Sequence, residues 1–212
     1  PVPSSTATEE YGWLGKVPSV REWIGDRQVQ NLMQHDYAIK NKDWELTIGV
    51  DRNHIQDDNV GMYGPMFEMM GESTGAKAAE LVWGLLKTGF STPGYDKVNF
   101  FSTTHPVLDE NGAIVNVANT DGGAGVPWFL LDVSKALKPI ILQTRKDWDF
   151  VARDAPTDDN VFDRKEFKYG ADARRNVGFG FWQFAWGSRQ PLNATNYAAA
   201  RAALMGMKGD YG

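Results

Sequence analysis

Cysteine is missing from all 212 residues of this chain. Disulfides and thiolate metal sites are therefore excluded, and nothing points to a secreted, oxidised life. Histidine is scarce, with only His35, His54 and His105. A histidine-rich metal or catalytic cluster is not expected from three. Long apolar runs are lacking, and none approaches the length of a membrane span. The opening PVPSSTATEE is polar and has no apolar stretch of the signal-peptide kind, so it reads as a flexible lead-in. An excess of basic charge is lacking too: 22 Lys and Arg stand against 27 Asp and Glu, a formal net charge of -5. A dedicated nucleic-acid binder carries a basic stripe, so this balance argues against that class. The motifs H-E-x-x-H and G-x-x-x-x-G-K-[ST] are both absent.

What is present is apolar and aromatic. The chain is long enough for a real core, and its eight tryptophans make aromatic packing a main source of it. In Trp44-Val50 the apolar Trp44, Leu46, Ile48 and Val50 alternate with Glu45, Thr47 and Gly49, the period of a strand with one buried face. With Tyr37-Ile39 before it and Asn41-Lys42 between, the pattern predicts a β-hairpin or ribbon. Asp57 to Gly89 reads as mainly helical, with Asp58 or Asn59 as its cap and Gly89 as its stop. Pro65 and the glycines at 61, 64, 71, 75 and 84 argue for a bend or a later start. Strands are expected at Val126-Val133, Pro139-Gln143, Trp148-Arg153, Glu166-Ala171 and Val177-Trp186, the last aromatic on both faces. Asn193 caps an alanine-rich helix that ends at a glycine.

The stretch DWELTIGVDRNHIQDDN holds five acidic residues and a histidine, which raises the question of a calcium loop. Counted from Asp51, Asn53 fits position three. Ile55 at position five cannot ligate, Gln56 replaces the turn glycine, and Met62 replaces the bidentate glutamate. The stretch reads instead as a strand end followed by a helix cap. No metal and no cofactor are expected. His105-Pro106 reads as a turn histidine, Asp121-Gly125 as a flexible loop rather than a phosphate cradle, and Asp158-Asp159 as a solvated turn. Arg174-Arg175 reads as a salt-bridging pair, and Asn193-Ala194-Thr195 as a helix cap rather than a glycosylation site.

The order of elements, a ribbon, a long helix, loops, a β-rich region and a second helix, resembles that of tailed-phage major capsid proteins. Longer segments sharpen the likeness. YGWLGKVPSVREWIGDR, YAIKNKDWELTIGVDRNHIQDDNVGMYGPMFEMMG, NFFSTTHP, PWFLLDVSKALKPIILQTRK and FKYGADARRNVGFGFWQ are similar to the Mu-like major head subunit family. The resemblance implies an α+β chain of the Hong Kong ninety-seven type capsid fold. It implies a lead-in over 1-25, an extended β-hairpin loop over 26-57, a spine helix over 58-89, a β-rich peripheral domain over 90-187, and the start of an incomplete axial domain over 188-212. The function implied is a structural, non-enzymatic major capsid protein of a phage or prophage. Hexamers and pentamers would build an icosahedral shell around double-stranded DNA touched non-specifically. Implied partners are further copies of the chain, a scaffold, a maturation protease and a portal protein, with no membrane. The place would be the virion, assembled in the bacterial cytoplasm.

Trp23, Ile24, Leu32, Met33, Tyr37, Ile39 and Trp44 are more apolar surface than a lone hairpin can cover, so they are the candidate subunit contacts. On that reading Trp44→Asp leaves the monomer folded and blocks assembly. The alternative for the ribbon is packing against its own chain. Two alternative functions are a same-fold nanocompartment enclosing a cargo enzyme, and an aromatic-rich glycan-binding or hydrolase domain with two carboxyls in one cleft.

Overall fold

The computed structural model describes residues 1-11, 37-57, 61-109 and 112-207. Its strands are β1 (Val2–Pro3), β2 (Thr8–Glu10), β3 (Ala38–Lys40), β4 (Lys42–Asp51), β5 (His105–Leu108), β6 (Ile114–Val117), β7 (Thr120–Gly123), β8 (Trp128–Leu131), β9 (Ile140–Arg153), β10 (Glu166–Phe179) and β11 (Ala185–Arg189). The helices are α1 (Arg52–Gln56), α2 (Tyr63–Thr88), α3 (Asp159–Arg164) and α4 (Ala194–Met205), with a 3-10 turn at Trp182–Phe184. The chain divides into two compact units. The first comprises 1-8, 40-82 and 142-176, and the second 9-39, 83-141 and 177-212.

The first unit is built on a sheet ordered β1-β9-β10-β4. The alternation seen in the sequence of β4 sets its burial: Trp44, Leu46 and Ile48 are half-buried, Val50 is buried, and Glu45 and Thr47 face water. The partner of β4 is β10, antiparallel from Asp51 opposite Glu166 to Lys42 opposite Arg175. β3 pairs with β2. The expected hairpin turning at Asn41-Lys42 is therefore corrected, since among the described residues β3 and β4 do not pair. Asn41 explains why. It is buried, and its amide donates to Ser4 Oγ at 2.8 Å and Thr6 O at 2.9 Å while accepting from the buried Gln143 at 2.8 Å. A residue tied to two other strands' segments cannot be the exposed corner of a turn.

Asp51 ends β4 and caps α1, its carboxylate accepting from Asn53 N at 2.8 Å. The acidic stretch is thus a strand running into a capped helix, one helix earlier than Asp58 or Asn59, which lie outside the described residues. α2 starts at Tyr63, which places Pro65 in the first turn, where its missing N–H leaves no bond unmade. At 26 residues it is about 39 Å long. Gly89 stops it as expected: a Cβ there would stand 2.7 Å from the Phe101 ring.

The second unit carries an aromatic core. Phe100 stacks on Phe179 with centroids 4.1 Å apart, and Phe101 on Phe129 at 5.4 Å. Phe181, Trp182 and Leu86 are enclosed as well. β11 is central, flanked by β7 in parallel and β8 antiparallel, while β5 and β6 form a separate pair. Two expectations are corrected. Val177-Trp186 is not one strand: Gly180 breaks it, because its N–H bonds Pro139 O and a Cβ would meet Lys138 O at 2.2 Å. Thr120–Gly123 is a strand rather than a flexible loop, with Gly123 at φ 97° lying against the Arg189 backbone. Asn193 caps α4, accepting from Asn196 N at 2.9 Å.

Candidate subunit-contact site

Seven residues were expected to face a neighbour. Trp23, Ile24, Leu32 and Met33 lie outside the described residues. The other three are engaged within their own chain. Ile39 is only 4% exposed, and a Cβ at Gly178 would stand 2.2 Å from its Cδ1, so β3 presses directly on the β10 backbone there. Tyr37 accepts a hydrogen bond from Phe179 N at 2.8 Å through its phenol oxygen. Burial pushes its ionisation up, and the Phe179 N–H only partly offsets this. The buried Tyr11 donates its N–H to Tyr37 O at 2.7 Å, and burial, helped by Glu9 and Tyr37, pushes its phenol up to about 12. Trp44 donates its indole N–H to Arg175 O at 3.0 Å, and the Lys77 ammonium sits 4.2 Å from its ring centre. For these three residues packing against their own chain is the observed arrangement.

The exposed apolar surface lies elsewhere, in places sequence reasoning missed. β1 pairs with β9 only at Gln143 and Thr144. Beyond that point β9 carries Phe150 and Val151, exposed on opposite faces because successive strand residues point apart. Ion pairs bind β9 to β10: Lys146 to Asp172 at 2.7 Å, and Arg175 to Asp147. The bond to Asp172, with Asp149 in support, raises the Lys146 ammonium above its ordinary range. At the end of this ribbon α3 buries Val161 and leaves Phe162 81% exposed. The available signal was Phe162 set among Asp158, Asp159 and Asp163: an aromatic in a strongly acidic segment that needs nothing hydrophobic for its own folding.

The remaining polar candidates have structural roles. Asp158 accepts from Ala155 N at 3.0 Å at the start of α3. Arg174 pairs with Asp43 at 3.2 Å, so both arginines of the pair serve the sheet. His105 is not a turn histidine. It opens β5, fully enclosed, between Asp96 and Asn119. Among the described residues no three His, Cys, Asp or Glu side chains gather to hold a metal, and no helix is long and apolar enough to cross a membrane.

The chain, with its long helix and ribbon sheet, has counterparts among solved shells. A chain of the procapsid of bacteriophage JBD30 superposes with a TM-score of 0.83 at 44% identity, covering 99% of this chain and 72% of that one. A chain of the bacteriophage JBD30 capsid gives 0.76 at 32% identity, covering 99% and 71%. The fold is the mixed α+β fold of phage major capsid proteins, and the class is a capsid-shell subunit. The family model for the Mu-like prophage major head subunit gpT matches residues 1-212. The chain is 43% identical to the major capsid protein of Escherichia phage Mu over 217 residues, covering 100% of this chain and 71% of that protein. It is 43% identical to the Mu-like prophage FluMu major head subunit of Haemophilus influenzae, covering 99% and 70%. The chain belongs to the Mu-like major head subunit family.

Proposed function

We propose that this head protein assembles as hexamers and pentamers into an icosahedral shell around double-stranded DNA, without catalysing a reaction. The observation that supports this best is the similarity, above 30% identity and over 99% of the chain, to both a procapsid and a capsid chain. On this reading the shell is held by many repeated contacts, each modest, summed over the particle. By the same reading Trp23, Ile24, Leu32 and Met33 contact neighbouring subunits, and the exposed Phe162 at the end of the ribbon adds a further contact. A scaffold, a maturation protease and a portal protein are the assembly partners, and assembly takes place in the bacterial cytoplasm.

The test is electron microscopy of the full-length protein after expression, with its mass by light scattering. Closed shells of uniform diameter, or isolated hexamers and pentamers, are expected. A monodisperse monomer at high concentration, with or without scaffold, overturns the proposal. Shells that hold a cargo protein and no DNA would mark a nanocompartment instead.

A further inference from the structure

A cleft of about 420 Å³ opens in the second unit between the chain leading into β8 and the chain leaving β11. Its walls include Val126, Pro127, Trp128, Arg189, Pro191 and Leu192, with Val126 and Leu192 well exposed. A cleft of this size accepts an aromatic side chain. The polar groups of the walls are spent on each other. Gly125 N donates to Arg189 O at 2.9 Å, the Trp128 indole N–H to Gln190 O at 2.9 Å, and Gln190 N to Ser188 Oγ at 3.1 Å. The Arg189 side chain is the exception. Its guanidinium carbon stands 4.3 Å from the Phe90 ring centre, and its Nε is enclosed with no acceptor. Among the described residues that side chain makes no ion pair and no hydrogen bond, and no carboxylate lines the cleft. Apolar walls with an unpaired arginine select an apolar group that has a carboxylate beside it.

The chain carries such a group at the end of its ribbon. Asp159, Phe162 and Asp163 are all exposed. At spacings of three and four they share one face of α3, while Val161 buries the other. Asp159 falls between Phe162 and Asp163 on that face, and Arg164 stands about 100° further round. Among the described residues neither Asp159 nor Asp163 pairs with a cation. An outward ring beside two unpaired carboxylates is the counterpart of apolar walls beside an unpaired guanidinium.

We propose that α3 of one copy docks in the cleft of a second copy, with Phe162 filling it and Asp159 pairing with Arg189. The proposal rests on the shell reading above and names one of its contacts. Pentamers and hexamers are rings, and a ring joins one surface of each copy to a different surface of the next. A knob and an unlike cleft make such a joint. The ion pair forms against apolar walls, where its attraction is stronger than in open water. The same carboxylates repel a second α3, which opposes pairing of tip with tip.

The full chain has no cysteine, so introduced thiols report this contact alone. Chain carrying Asp163→Cys, which keeps Phe162 and Asp159, is mixed before assembly with a tagged chain carrying Val126→Cys. The mixture is oxidised with copper–phenanthroline, and dimers are sorted by mass. Disulfides joining the two variants are expected in about tenfold excess over those of either variant alone. Equal yields, or an excess of Asp163→Cys paired with itself, overturn the docking. Arg189→Asp in the tagged copy should lower the mixed dimer about tenfold, and Asp159→Arg in its partner should restore it. A loss that the exchange does not restore gives Arg189 a role within its own chain and overturns the pairing. Where Arg189→Asp fails to fold, Asp159→Arg alone, at an exposed position, must produce the same loss. Shells without the mixed dimer overturn this contact and leave the shell reading standing. A monodisperse monomer without the mixed dimer overturns both.

Discussion

Trp44 has its indole committed at both ends. The N–H serves the Arg175 carbonyl, and the ring supports the Lys77 ammonium. Trp44→Asp removes that packing, leaves the carbonyl without its donor and sets a third carboxylate beside Asp43 and Glu45. We expect the isolated subunit to lose about 2–4 kcal/mol in urea unfolding. Trp44→Phe should lose about 1 kcal/mol, the worth of the one hydrogen bond. An unchanged midpoint in Trp44→Asp together with failed assembly would support the subunit-contact role expected from the sequence. Gly180 gives a second residue-scale prediction. A Cβ there meets a backbone oxygen, Lys138 O, which cannot swing aside. Gly180→Ala should therefore cost about 1–3 kcal/mol. The Tyr11 and Tyr37 phenols give a pH dependence. Burial raises both, Tyr11 to about 12 from an ordinary 10.0, so the folded state holds protons that the unfolded chain releases first. Their contribution is complete below about pH 10 and is lost as pH climbs toward about 12. Tyr11→Phe should flatten that alkaline decline in the urea midpoint, and a wild-type midpoint that stays level there would contradict it.

At the scale of elements, periodic pattern was legible and partnership was not. The alternation of β4 located the strand and its buried face, and Gly89 and Asn193 marked helix ends that the structure keeps. The partner of β4 sits over a hundred residues downstream in β10, and no local signal distinguishes that from a hairpin. Asn41, a turn residue by composition, is instead a buried hydrogen-bonding node. His105 misled in the same way, since a Thr-Thr-His-Pro string carries no trace of Asp96 or Trp182. The glycines of α2 show where local and global demands part. Gly71 and Gly75 lie inside the helix with nothing within 4 Å of a built Cβ. Gly→Ala at either site should stabilise the subunit by about 0.5–1 kcal/mol, since it removes chain entropy without a clash. If stability rises while shell yield falls, those glycines serve an approach by a neighbour. At the ribbon's end, Phe162→Ser should leave the subunit's midpoint within about 0.5 kcal/mol, because the side chain covers little of its own chain. Its shells should form less readily, as measured by sedimentation.

At the scale of the whole molecule, charge says what burial cannot. If the shell encloses DNA as proposed, its wall faces the duplex over a large area, and each contact made through Lys or Arg would displace counterions and strengthen with dilution of salt. A wall that gripped the duplex everywhere would oppose its movement in and out. The net charge of -5 removes this difficulty for the chain as a whole, and several cations are already committed: Arg174 to Asp43, Arg175 to Asp147, and Lys146 to Asp172. The chain should therefore show no measurable retention of a labelled duplex at about 0.15 M salt, where even a modest basic face still binds. Below that salt any binding should depend weakly on concentration, because few phosphates are neutralised. A steep salt dependence, with a slope of several units in a plot of log affinity against log salt, would reveal a concentrated basic face despite the overall balance, and the shell interior would then hold its genome by direct attraction rather than by enclosure.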